Sequence, residues 1–272
     1  MLTILLIKTI NRARWYLMWS SISSNDQLIM NMFNIALQLE EPWKLTHIEF
    51  EGQDQAWHLY IDFERGTTFA CPLCGPACKA YDTEKKQWRY LDFWNWKTFM
   101  QARLPRVKCR SCNKVTQVPV KWARALSHFT WLFEAWAMRL MAEMPVNAAA
   151  RELREHDTRM WRIFHHYVDK AMANLDWSNV KRIAIDETSS RRGHRYITLF
   201  VDMDRKIVLF ATEGKGKDTL ERFKLHMTAK GATAQQIEEI CCDMSPAFIR
   251  GIEEYFPDAE LPLQIPCDEA LG

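Results

Sequence analysis

The sequence predicts an α+β chain of several small domains: a β module built on two cysteine knuckles, a helical segment, and a closing α/β segment. Three observations carry this. Two C-x-x-C pairs, Cys71/Cys74 and Cys109/Cys112, bracket 34 residues of strand-like pattern. Apolar residues recur every four positions from about Thr130, which is one face of a helix. From Arg182 onward, short apolar strands alternate with amphipathic helical stretches.

The bulk numbers agree. The chain has 272 residues, 48% hydrophobic and 26% charged. That length suits two domains or three small ones, and that composition excludes wholesale disorder. Net charge is +2 but unevenly spread: residues 85–125 hold eleven Lys or Arg and one acid, whereas 232–269 hold nine acids and one base, Arg250. A basic front suggests contact with a polyanion, and an acidic back suggests bound cations; each block also reads as ordinary solvated surface. The opening MLTILL is too short for a secretory core and is followed by Lys8, Arg12 and Arg14. No run approaches the ~18–20 apolar residues of a membrane span. The expected setting is cytoplasmic, in a bacterial cell and with the nucleoid.

The elements follow in order. Residues 1–30 show no clean period. Lys44–Glu51 alternates, and Trp57–Phe63 alternates again, with Trp57, Leu59, Ile61 and Phe63 on one face. Cys71-Pro-Leu-Cys74-Gly is a tight turn. Gln87–Phe93 and Thr98–Leu104 are expected strands, joined through Trp94 and Trp96, and Cys109-Arg-Ser-Cys112 is a second turn. In the first helix Leu132, Trp136, Leu140 and Met144 recur every four residues on one face, and Pro145 ends it. Val146–Leu153 and Thr158–Met172 follow as helices. Next come strands at Arg182–Asp186, Arg195–Val201, Ile207–Glu213 and Ile237–Cys242, with helices at Thr219–Lys230 and Ala247–Tyr255.

The eight cysteines, Cys71, Cys74, Cys78, Cys109, Cys112, Cys241, Cys242 and Cys267, do not spread like a disulfide framework. Cys71, Cys74, Cys109 and Cys112 can place four thiolates tetrahedrally round one zinc ion, each pair on a turn and the two turns separated by a strand pair, as in a zinc ribbon. Unliganded core cysteines are the alternative. Cys78 is expected to be a buried free thiol.

Between Val146 and Ile163 the spacing suits a helix-turn-helix. Ala149 and Ala150 are small where two helices cross, and Leu153, Met160 and Ile163 form the shared core. Asp157 is the expected N-cap of the second helix, with Thr158 beside it. Arg159 and Arg162 then project from its first turns, where a recognition helix meets bases or phosphates. Arg154 stands where such turns usually have glycine, and Glu155 where an apolar residue is common. A helical hairpin without DNA fits the same spacing.

Asp186 closes the apolar run Ile183–Ile185, and Asp243 closes Ile240–Cys242. Acids at the ends of buried strands need compensation. A shared divalent ion supplies it, and Mg²⁺ with its oxygen ligands is the natural choice. Alternatively each Asp caps the turn that follows. Glu187 either assists at the metal or lies exposed. The basic turn Arg191, Arg192, Gly193, His194 and Arg195 sits beside the first acid in sequence and could grip phosphate, or it is simply a polar hairpin turn.

These residues carry a resemblance. The chain resembles the insertion-sequence transposases of the ISL3 group in EPWKLTHIEFE at 41–51, CPLCG at 71–75, WRYLDFW at 88–94, RLPRVKCRSC at 103–112, IAIDE at 183–187, RRGHRYIT at 191–198 and CCDMSPAFIRGIEEYFPDAE at 241–260. The resemblance implies an N-terminal zinc ribbon, a helix-turn-helix and a ribonuclease-H-like α/β domain with a DDE triad. It implies Cys71, Cys74, Cys109 and Cys112 as zinc ligands. Asp186 and Asp243 would be the first two triad acids, catalytic and holding Mg²⁺ or Mn²⁺. The third acid, a Glu, would lie farther along. After FPDAE the sequence leaves the family's pattern. Read one nucleotide later, the codons of residues 264–271 admit K-F-H-V-M-K-L-L, a segment of the family type, so residues 261–272 are expected to be a frameshifted tail.

The expected organisation is an extension at 1–34, a zinc-ribbon domain at 35–125, a helix-turn-helix segment at 126–176, the N-terminal part of a DDE catalytic domain at 177–260, and the tail at 261–272. The expected function is that of a DNA transposase fragment binding the terminal inverted repeats of an insertion sequence. Its partners are double-stranded DNA, both terminal repeats and target, with no membrane; a homodimer is compatible with the sequence but not specified by it. With two of three acids the chain is expected to be inactive alone. The rivals are a transposase-derived repressor that occupies element ends, and a zinc-ribbon transcription regulator.

Overall fold

Alternation along Ala56–Asp62 puts Trp57, Leu59 and Ile61 on one face, and all three are fully buried. This strand lies inside a six-stranded sheet. The computed structural model describes residues 26–191, 195–243 and 245–262. It divides into two compact units, one up to Phe164 and one from His165.

In the first unit, β1 (Lys44–Glu51) and β2 (Ala56–Asp62) form an antiparallel hairpin, and β2 runs parallel to β5. The short β3 (Thr68–Ala70) leads into β4 (Ala77–Phe93), which pairs antiparallel with β5 (Trp96–Lys108), and β6 (Val115–Gln117) closes the far end. The expected strands at 87–93 and 98–104 are therefore the central parts of one long hairpin. Its two-residue turn is Trp94-Asn95, both at positive φ of 50° and 67°. That left-handed geometry matches the twist of the strands it joins. Phe33, Leu45, Leu59, Ile61, Trp88, Met100, Ala102 and Leu104 share one core. Phe33 comes from α1 (Asp26–Leu37), so a helix that begins inside the expected extension covers this sheet. At the knuckle end a smaller cluster joins Phe69, Val107 and Val118.

Three helices follow: α2 (Trp131–Glu143), α3 (Val146–Glu152) and α4 (Asp157–Ala173). Thr130 caps α2, its hydroxyl accepting from the Phe133 N–H at 3.3 Å. The face with the regular apolar spacing is not the one that packs inward. Leu132 and Trp136 are exposed, while Phe133, Glu134 and Ala137 are buried. Glu134 explains the rotation. Its carboxylate accepts from Arg124 Nε at 2.9 and 3.0 Å and from the Ser127 hydroxyl at 2.6 Å. A local apolar period cannot reveal an inward ion pair made by residues ten positions earlier. Glu134→Ala leaves Arg124 without its anion and is expected to lower stability by about 3 kcal/mol, read as a fall in thermal midpoint; no change would show that the pair contributes nothing.

The α3–α4 junction keeps the expected packing: Ala149, Ala150, Leu153, Met160 and Ile163 are all buried. Its turn is a Schellman motif. The Glu155 N–H donates to Ala150 O at 2.9 Å and the Arg154 N–H to Arg151 O at 3.1 Å. Arg154, at φ 53°, takes the left-handed position where glycine is usual. The helix begins at Asp157, one position earlier than a cap there would place it. The Thr158 N–H is nevertheless accepted by the Asp157 carboxylate at 2.8 Å, with the His156 ring at 3.3 Å, and the His156 carbonyl accepts from the Met160 N–H.

In the second unit, β7 (Arg182–Arg191), β8 (Arg195–Asp202) and β9 (Ile207–Glu213) form an antiparallel meander, and β10 (Glu239–Cys242) adds parallel to β7, in order β10-β7-β8-β9. Helices α5 (Asp218–Ala229) and α6 (Pro246–Tyr255) supply Leu220, Phe223, Met227, Phe248 and Ile252 to a core with Ile183, Ile185, Phe200 and Leu209. Phe200 and Phe223 stack at 4.2 Å. Ala184, Val201 and Cys241 form a separate cluster. By strand alternation it lies on the other face of the sheet. The architecture is the expected α+β arrangement. No described helix is long and apolar enough to cross a membrane.

Candidate metal centres and nucleic-acid interface

Each cysteine pair sits in a turn whose backbone is already aimed at sulfur. In the first knuckle the Gly75 N–H donates to Cys71 O, and the Cys71 N–H to Pro76 O, both at 2.9 Å. In the second, the Cys109 N–H donates to Lys114 O at 3.0 Å, with Asn113 at positive φ. Strands β4 and β5 bring the two turns together. The four Sγ atoms lie within 4.8 Å of one another, with Cys71–Cys112 at 3.8 Å and Cys74–Cys109 at 3.4 Å. A tetrahedral ion with Zn–S near 2.3 Å needs S–S edges of about 3.8 Å, so the donor set fits zinc. Amide N–H groups of Cys112 and Ser111 pull the Cys109 thiol down to about 6, and those of Leu73 and Cys74 lower Cys71. The neighbouring Cys109 sulfur pushes the Cys74 thiol up. Thiolates held by backbone donors are the form that binds metal. Cys78 is half-buried rather than buried, its thiol 3.4 Å from Pro76 O. Cys267 lies outside the described residues.

The basic block of residues 85–125 is less free than its count suggests. Lys86, Arg89, Arg103, Arg106, Lys121 and Arg124 meet Glu84, Asp92, Asp62, Asp82, Glu40 and Glu134 respectively. Most of these acids lie outside the block, so a linear count misses them. Of the remainder, Lys108, Arg110 and Lys114 are exposed around the second knuckle.

On α4, Thr158, Trp161, Arg162 and His165 are exposed at helical spacing, so one face is presented to solvent. Arg162 is on that face. Arg159 is not free in the same way: it pairs with Glu155 and lies over the Phe129 ring at 4.3 Å.

Asp186 is half-buried where the buried run Ile183–Ile185 ends. It does not close its strand, because β8 carries β7 on to Arg191; what ends there is the pairing with β10, whose last partners are Cys242 and Ile185. Asp243 follows Cys242 directly, so the two acids leave neighbouring parallel strands at the same level. Both continue the alternation of Ala184 and Cys241, which pack together. Asp186 accepts from the Glu187 N–H at 2.8 Å, and Asp243 from the Ser245 N–H at 3.1 Å, the turn bond that a capping role predicts. Burial, then the charges of Asp243 and Asp186, hold the Glu187 carboxyl above its usual range, and Lys215 opposes this. Lys215, whose ammonium lies over the Tyr196 ring at 4.2 Å, carries no signal in the sequence, where its flanking glycines mark only a loop. Among the described residues, the cysteine quartet is the only group of three or more candidate ligands gathered closely enough to hold an ion.

Arg192 and His194 lie outside the described residues. Arg191 and Arg195 are paired strand positions. They stand five residues along the strand from Asp186, about 16 Å at normal strand rise, rather than beside it.

Three family profiles match in this chain order: the zinc-finger of transposase IS204/IS1001/IS1096/IS1165 over residues 67–112, the helix-turn-helix domain of transposase family ISL3 over 118–168, and an ISL3-type DDE transposase profile over 183–263. The chain is similar to the transposase for insertion sequence element IS1557 of two Mycobacterium tuberculosis strains, 32% identical over 242 residues, which is 85% of this chain and 53% of the relative. It is also similar to the transposase for insertion sequence element IS1001 of Bordetella parapertussis, 27% identical over 199 residues, 70% of this chain and 47% of the relative. The chain spans about half the length of the curated relatives it matches.

Proposed function

The chain belongs to the ISL3 family of transposases, and on that premise we propose that it binds the terminal inverted repeats of an insertion sequence through its ribbon and helix pair. The observation that carries this is the exposed face of α4 behind a Schellman turn, with Arg162 on it. A helix so presented enters a major groove by its first turns. Lys108, Arg110 and Lys114 at the second knuckle add phosphate contacts, and the basic segment 191–195 does so within the catalytic domain. Zinc is the ion for the cysteine quartet, and the protein acts where chromosomal DNA is, in the cytoplasm.

The catalytic reading follows from the acids. Asp186 and Asp243 would hold Mg²⁺ or Mn²⁺, which in this chemistry activates water and stabilises the leaving oxygen. Glu187 adds negative charge beside them. Two strand carboxylates bind one ion loosely, and fixing a second takes a carboxylate from another element. The described residues gather no such third acid.

Fluorescence anisotropy with a terminal-repeat duplex and a scrambled one tests the binding reading. The expected result is tighter binding to the repeat, with affinity falling steeply as salt rises. Arg162→Ala is expected to weaken repeat binding about tenfold and scrambled binding less. Equal affinity for both duplexes would refute the reading.

A further inference from the structure

Five charged side chains alternate in sign from the ribbon into the helix pair: Arg154, Asp92, Arg89, Glu155, Arg159. Asp92 and Arg89 belong to β4; the other three belong to the turn and to α4. The middle link is deeply buried, with Arg89 1% and Glu155 6% exposed. Arg89 Nε lies 3.3 Å from Glu155 Oε1, near enough for an ion pair but not aligned for a hydrogen bond. The guanidinium is oriented from the ribbon side. Its Nη1 donates to Tyr90 O at 2.5 Å and Thr98 O at 3.3 Å, its Nη2 to Asp92, and its Cζ lies over the Phe99 and Phe133 rings at 5.6 and 5.3 Å. Backbone pairing reinforces the contact: the Arg89 N–H donates to His128 O at 2.8 Å and the Thr130 N–H to Arg89 O at 3.1 Å.

Glu155 stands two residues before the start of α4, and Arg159 lies in the first turn of that helix. The hairpin therefore fixes both where α4 starts and which way it is rotated. A buried ion pair is weak evidence for stability, because well-packed apolar groups often replace it at no loss; geometry is what it can specify. Apolar packing would tolerate sliding of α4 against the hairpin, whereas an alternating charge chain accepts one register. We infer that Arg89 and Glu155 are positioning residues that make the ribbon and α4 read DNA as one rigid body. This rests on the DNA-binding reading above.

The test uses the whole 272-residue chain and selection from a random duplex pool. The enriched duplex and the unselected pool are then titrated against the wild type, Glu155→Gln, and the double variant Arg89→Met with Glu155→Leu. Both variants are expected to bind the enriched duplex at least tenfold more weakly, with pool binding within about twofold of wild type. The double variant is expected to keep its thermal midpoint within a few degrees. A folded double variant that binds the enriched duplex as tightly as wild type would overturn the inference. So would equal loss on both DNAs, or a double variant that does not fold, which would assign the pair to stability. Should Glu155→Gln alone fail to fold, the double variant decides. If the wild type enriches nothing, DNA reading itself fails and the inference falls with it; enrichment by wild type with unchanged variants refutes the inference alone.

Discussion

Removing zinc is expected to unfold the knuckle end of the first unit. Four thiolates around one ion contribute on the order of 10 kcal/mol to such a module. Little else holds that end. The strands Thr68–Ala70 and Val115–Gln117 have three residues each, and the local cluster rests on Phe69, Val107 and Val118. The larger core around Phe33, Leu59, Trp88 and Met100 lies along the rest of the sheet. Chelation, or Cys109→Ser, should therefore raise amide exchange at residues 67–80 and 105–118 first, with β1 and β2 following more slowly. Purified chain should carry about one zinc. A chain without zinc whose exchange pattern is indifferent to chelator would refute the metal role of the cysteines.

The second large effect is expected at the acids. Asp186→Asn and Asp243→Asn should each lower Mn²⁺ affinity at least tenfold, measured by titration of the folded chain. The ground is electrostatic. Burial first, and then the charges of Asp243 and Asp186, hold the Glu187 carboxyl above its usual range, and a divalent ion would relieve the repulsive part of that. In a whole-length protein that adds the third acid, Asp186→Asn should abolish strand cleavage. Unchanged Mn²⁺ binding in both variants would return the two aspartates to the capping role that their bonds to Glu187 and Ser245 already allow.

Local pattern carried much of the fold. The cysteine spacing located both knuckles because each turn is built within a few residues. Alternation found β1 and β2, and apolar runs located the strands of the second unit to within a few residues. What the sequence hid depends on distant partners. Glu134 turned α2 through its bonds to Arg124 and Ser127. The basic block lost much of its free charge to acids such as Asp62 and Asp82. Arg89 looked like one more surface base in that block, yet it is the most buried arginine of the chain's described part. Arg154 and Glu155 weakened the helix-turn-helix reading, although both are accounted for in the folded chain: one takes the left-handed turn position and the other meets Arg89. Strand β7 outran Asp186 because its antiparallel partner is longer than its parallel one.

The most direct test of the central claim is a hydroxyl-radical footprint of the zinc-loaded chain on DNA carrying an element end and its flanks. Protection confined to the terminal repeat, lost on chelation and weakened by Arg162→Ala, is the predicted result. Uniform protection along the whole fragment, or none, would contradict it.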